Sequence, residues 1–152
     1  EKNICFKMFL IGNGELFEKV QEQCNQLGLK DNIIFTGIRD NVYEYINMFD
    51  IFLLPSLYEG LPLTAIEAQG FGVKSLISDK VSKEVDLHID LVKFLPVDEK
   101  VEIWTEEIIE QSKNKIYKNK EQGISALKRE GYGVESTIEA LTNIYNGDGG
   151  KF

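Results

Sequence analysis

The densest chemistry in the chain lies in the run Pro55-Ser56-Leu57-Tyr58-Glu59-Gly60-Leu61-Pro62-Leu63-Thr64-Ala65-Ile66-Glu67-Ala68. An apolar stretch ends at Pro55, Gly60 permits a sharp turn, and Pro62 suits the first position of a helix, where its missing N–H would have had no partner in any case. The free amides of Leu63 and Thr64 then point outward at the positive end of a helix dipole, a site suited to a diphosphate. Glu67 follows about 7 to 8 Å along the axis and leans back toward the helix start. A carboxylate so placed repels phosphate but accepts from hydroxyls one sugar away, as a ribose diol requires. Glu59 precedes the helix, where it can meet a second polyhydroxyl group across the anion. Two carboxylates bracketing an anion site describe a sugar–diphosphate–ribose ligand. An exposed loop acid at 59 and a dipole-stabilising acid at 67 account for the same residues equally well.

Elements that could position this run are legible around it. Short apolar, β-rich stretches occur at Ile4 to Ile11, Asn32 to Thr36, Ile51 to Pro55, Val73 to Ser78 and Leu91 to Leu95. Most are apolar on both faces, as buried parallel strands are. Between them run helical patterns: residues 15 to 27, with the stripe Leu16, Val20, Cys24 and Leu27 closed by Gly28; Asn41 to Met48, where Asn41 and Glu44 resemble a capping box; and a third helix starting at Pro62. Strands alternating with helices predict right-handed βαβ crossovers and a doubly wound α/β fold with a parallel sheet. Beyond residue 95 the pattern is helical alone. Val101, Trp104 and Ile108 form one apolar face and Val134, Ile138, Leu141 and Tyr145 a later one, both expected in the core. The basic stretch Lys113, Lys115, Lys118, Lys120 reads as a solvated helix junction, and Asn146 to Phe152 as a frayed tail.

Ligands of open parallel sheets bind outside the carboxyl ends of the strands, and three further loops lie there. Gly12-Asn13-Gly14 begins like a dinucleotide fingerprint, but Phe17 replaces the third glycine, so a tight turn close to a ligand is the better reading. Ile38 and Arg39 follow the second strand, and Arg39 is placed to face an anion or a base, or to form a surface ion pair. Lys80 and Lys83 follow Ser78, within reach of a phosphate or of water.

Composition narrows the function. The 152 residues are 43% hydrophobic and 28% charged, ordinary for one globular domain, and the net charge of −8 opposes non-specific binding to nucleic acid or an anionic membrane. Cys5 and Cys24 lack metal-ligand spacing and His88 is the single histidine, so zinc is disfavoured and Cys24 reads as a buried small hydrophobe. No apolar run approaches the roughly 18 residues of a membrane span, and no signal peptide is evident. A reducing, cytoplasmic setting is expected.

With these residues in place, the run resembles the E-x7-E element of the group 1 glycosyltransferases, retaining family four of the GT-B fold. Glu59 and Glu67 stand at that spacing within PSLYEGLPLTAIEAQGFG, and the likeness continues through FLIGNGEL, IIFTGIRDNV, DIFLLPS and VKSLISD, over about residues 5 to 95. The resemblance implies a Rossmann-like C-terminal half of a GT-B enzyme, with residues 1–145 as a nucleotide-sugar-binding domain lacking its first β/α unit. It implies that Glu67 holds the ribose hydroxyls and that Glu59, the catalytic candidate, contacts the donor sugar. Gly60, Leu61, Leu63 and Thr64 would surround the diphosphate, Ile38 and Arg39 the base, and Gly12 and Gly14 would line the donor. The donor would be an NDP-sugar, UDP-sugar favoured, with no other cofactor and no obligatory metal. Wording around ISDKVSKEVDLHIDLVKFLP is similar to members that build capsular polysaccharide or exopolysaccharide. The pattern also has departures. The family's diphosphate-binding arginine and lysine precede residue 1, as does the N-terminal acceptor-binding domain with its histidine; His88 does not match that position. Pro62 removes one amide that some members use, and no double glycine follows Ser78.

These features imply a donor half that is inactive alone and meets a membrane only through the missing half. Two other readings are a non-catalytic α/β interaction module and a sugar-nucleotide epimerase. The first would call for a clustered acidic metal site at strand ends, which Asp50 and Asp79 do not form; the second would be exposed by product analysis.

Overall fold

The structure, a computed structural model, describes residues 4–113 and 119–146. Lys115, Ile116, Tyr117, Lys118 and residues 147–152, read above as a basic junction and a tail, lie outside them. The elements run β1 (Met8–Ile11), α1 (Phe17–Gln26), β2 (Ile33–Gly37), α2 (Val42–Met48), β3 (Ile51–Leu54), α3 (Leu63–Gly70), β4 (Lys74–Ser78), a 3-10 turn (Lys83–Val85), β5 (Val92–Leu95), α4 (Val101–Lys113), α5 (Lys120–Arg129) and α6 (Val134–Tyr145). All strand pairs are parallel: β1 with β2, and β3-β4-β5 with β4 central. This is the α/β, Rossmann-like class expected. The chain divides into two compact units, residues 1–42 and 43–152.

In the first unit α1 crosses between β1 and β2. Cys24 is buried, as expected, but Leu16 and Leu27 are exposed because they cap the helix ends. Phe17 does the packing that Leu16 was expected to do, with its ring edge-on to Phe35 at 5.5 Å between centroids. Gly28, in the left-handed region at φ 68°, closes α1 in a Schellman motif: its own N–H reaches the Asn25 carbonyl and that of Leu29 reaches Cys24.

The second unit is built on α3. Ala65, Ile66, Ala68, Gln69 and Gly70 are buried, and the first two join Ile77, Val81, Val85, Leu87, Ile89 and Ala126 in the core. A second Schellman motif, Gly72 to Gln69 and Val73 to Ala68, turns the chain straight into β4. The helix starts at Leu63 with Pro62 as its cap, one residue later than expected: Pro62 has ψ 101°, an extended value, so it stands just outside the helix while its carbonyl accepts from the Ala65 amide.

Two apolar stripes depart from expectation. Val101 is exposed, and on α6 Val134, Ile138, Leu141 and Tyr145 are all exposed, with no buried residue on that helix. Periodicity specifies a face that prefers cover, and the described residues do not cover it.

Helix α4 is fastened to the sheet by polar contacts. Trp104 Nε1 donates to the Pro96 carbonyl at 2.8 Å, and Glu107 accepts from Lys93 at 2.5 Å and from Gln111 Nε2 at 2.6 Å. The Gln111 amide, then Lys93, holds the Glu107 carboxyl below its ordinary 4.5. A depressed folded value contributes stability above the unfolded pKa and loses it as pH falls through the folded one. Glu107→Gln is therefore expected to lower Tm by about 3 °C at pH 7, with the difference from wild type closing as pH drops below 4.5, followed by thermal melts across that range.

Candidate functional site

In the first unit the loops after β1 and β2 leave the same edge of a parallel pair and are tied together, with the Gly12 N–H donating to the Gly37 carbonyl at 2.9 Å. Gly12 needs its missing side chain, since φ is 123°. Gly12 thus stands beside Gly37, and the residues that follow it, Ile38 and Arg39, are exposed.

In the second unit β3 ends at Leu54 and the chain reaches α3 through the loop that carries Glu59. Three residues of α3 are exposed before its last turn: Leu63, Thr64 and Glu67. The spacings 63 to 67 and 64 to 67 put them on one face. That face begins at the helix start, where no side chain caps the backbone and the first bond made is from the Ala65 amide to the Pro62 carbonyl. The amides of Leu63 and Thr64 belong to the unclosed first turn, the positive end of the dipole. Glu67 stands on its open face, neither drawn into the core nor folded over the amides as a cap. Pro62 and Ala65 anchor the same turn from beneath, both buried.

Glu59 is half-buried and accepts a hydrogen bond from Ser56 Oγ at 2.9 Å. That bond orients the carboxylate, and a carboxylate has about four lone-pair sites, so capacity for sugar hydroxyls remains. Ser56 was not singled out in the sequence; the i to i+3 pairing of a hydroxyl with an acid across a turn was the available signal. Around it Leu57, Tyr58, Gly60 and Leu61 are exposed.

Lys80 and Lys83 lie in the segment after β4, whose Val81 and Val85 join Ala65 and Ile66 of α3 in the core, and their side chains turn to partners in and after β5. Lys80 pairs with Asp98 at 2.6 Å, and this contact raises its pKa. Lys83 Nζ lies 3.3 Å from the centroid of the Phe94 ring, a cation–π contact. As phosphate ligands, one of the two roles the sequence leaves open to them, both would have to leave these partners. Ser78 is buried, its Oγ accepting from the Lys80 amide at 3.1 Å. His88 is exposed near Asp86 in a turn after these lysines. Among the described residues no group of three or more His, Cys, Asp or Glu is arranged to hold a metal ion, and no helix is long and apolar enough to cross a membrane.

A parallel α/β fold with loops of this kind at the strand ends is of the Rossmann-like class. Residues 1–129 match the family Glycosyl transferases group 1, and the chain belongs to it. Over 151 residues it is 34% identical to the putative glycosyltransferase EpsF of Bacillus subtilis, covering 96% of this chain and 38% of that protein. The lipopolysaccharide outer core galactosyltransferase WaaB, in its apo form, superposes with a TM-score of 0.68 at 20% identity, over 92% of this chain and 40% of that one. HepE of Anabaena in complex with UDP superposes at 0.67 with 16% identity, over 93% and 41%. The chain therefore spans about two fifths of the length of these proteins.

Proposed function

We propose that this chain is the donor-binding half of a retaining glycosyltransferase that moves a sugar from a nucleoside diphosphate, UDP favoured, to an acceptor hydroxyl in the building of capsular polysaccharide, exopolysaccharide or a related glycan. The observation that carries the reading is the open first turn of α3, with Thr64 and Glu67 on its exposed face and Glu59, steadied by Ser56, on the loop before it. WaaB, named for lipopolysaccharide, and HepE, whose structure holds UDP, support it by fold.

In this reading the bond from the sugar C1 to the β-phosphate oxygen breaks as the acceptor oxygen bonds to C1 on the same face. The electron pair stays with the diphosphate, whose departing oxygen takes the proton that the acceptor hydroxyl gives up. The Leu63 and Thr64 amides, with Gly60 and Leu61 close by, meet that growing charge in a fixed orientation, which is where such donors are most effective. Glu67 holds the ribose hydroxyls, Glu59 the sugar. No resident cofactor or metal is assigned a step. The acceptor site, and any contact with the inner face of a membrane, would come from an N-terminal half, so the present half binds donor without turning it over. A cytoplasmic setting fits a UDP-sugar donor.

Incubating the full-length protein with UDP- and GDP-sugars and a glycan acceptor tests this. Acceptor-dependent release of the nucleoside diphosphate, persisting in EDTA, with the anomeric configuration retained in the product, is expected. An epimerised sugar nucleotide, inversion, or no binding of any donor would contradict it.

A further inference from the structure

Two residues beyond Glu67, the side chain of Gln69 is wholly buried and fully engaged. Its Nε2 donates to the carbonyls of Ala65 at 3.0 Å and Val85 at 2.7 Å, and its Oε1 accepts from the Leu87 amide at 2.9 Å. One amide thus joins the first turns of α3 to the segment that returns from β4, which would otherwise bury an unpaired N–H and an unpaired carbonyl. From the other side Arg129 Nη2 of α5 donates to the Leu87 carbonyl at 2.6 Å. Leu87 is therefore gripped at both of its backbone polar atoms.

The chain just past this grip is under strain. His88 and Asp90 have φ of 55° and 58°, left-handed values that non-glycine residues hold only where the surroundings over-determine them. An isosteric apolar residue would fill the space of Gln69 equally well, so its selection points to the polar task of fixing this strained segment against α3.

Taking the donor reading above as its basis, we propose that Gln69 is a positioning residue of the donor site. By locking α3 to the Val85–Leu87 segment it fixes the direction in which the helix start and Glu67 face the nucleotide. It touches no ligand; it acts through α3.

Calorimetric titration of the full-length protein with UDP tests the proposal. Gln69→Met, close in volume but without the three bonds, is expected to raise the Kd for UDP about tenfold at unchanged stoichiometry, because the protein stays folded with α3 misaimed. A lower stoichiometry with the wild-type Kd, or no change in either, would mean that Gln69 only supports folding and would overturn the proposal. Gln69→Glu supplies a second reading should the Met variant not fold. Its carboxyl can accept from Leu87 in either state but donates to Val85 only when protonated, and burial raises its pKa. Its Kd relative to wild type should fall back toward one as pH is lowered; a ratio flat with pH overturns the proposal. Glu67→Ala separates the two levels. If it leaves UDP binding intact, the donor reading falls and this inference with it; if it weakens binding while Gln69→Met does not, only the positioning role falls.

Discussion

Glu67→Ala is expected to weaken UDP binding about a hundredfold while leaving Tm within a degree of wild type. A carboxylate accepting from a ribose diol makes charge-assisted bonds worth about 1.5 to 3 kcal/mol each, and two of them lost at the lower end of that range, about 3 kcal/mol, give a factor of about a hundred. Stability is spared because Glu67 is exposed and makes none of the core contacts of α3, in contrast to Ala65, Ile66, Ala68 and Gln69 on either side of it. The same titration with 2′-deoxy-UDP makes the assignment specific. Wild type should discriminate against the deoxy ligand, and the alanine variant should discriminate much less, since the partner of that hydroxyl is gone. Equal discrimination by both proteins would place the ribose elsewhere.

Gly123→Ala is expected to cost about 3 kcal/mol and lower Tm by about 10 °C, although alanine is the better helix former. A Cβ at residue 123 would stand 2.5 Å from the carbonyl oxygens of both Gln69 and Gly70 and 2.8 Å from the Gly70 carbonyl carbon. These are backbone atoms of a buried helix and cannot step aside without moving α3. The reciprocal position gives an internal control. A Cβ on Gly70 would meet Leu127 Cδ1 at 2.5 Å, the end of a flexible side chain, so Gly70→Ala should cost distinctly less. Thermal melts of the two variants side by side check the ranking; equal losses would mean that the helices slide apart readily.

How far the sequence carries differs from element to element for physical reasons. The five strands were legible because each is a short apolar run bounded by turn residues, and the loop from Pro55 to Glu67 because proline, glycine and acid spacing constrain a chain locally. Helix α5 falls in the stretch read as helical beyond residue 95 but was not singled out, and its need for glycine at 123 is visible only once α3 lies against it. The α6 stripe was legible as apolar but not as uncovered, since periodicity does not name a partner. Within the site, Glu59 and Glu67 stood out by spacing. The Asp98 and Phe94 partners of Lys80 and Lys83 are 18 and 11 residues away across the β4-β5 pair, and that register is not written in the loop itself. Gln69 was passed over because a glutamine in a helix is unremarkable until its burial is known.

Donor binding at α3 requires the helix start at Leu63 to receive a diphosphate. The most direct measurement follows the backbone amide resonances of Leu63 and Thr64 while the full-length, nitrogen-labelled protein is titrated with UDP and, separately, with uridine. UDP should shift both amides strongly and uridine should barely move them, because only UDP brings the anion. If UDP saturates the protein while those two amides stay in place, or if uridine moves them as far, the diphosphate does not sit at α3.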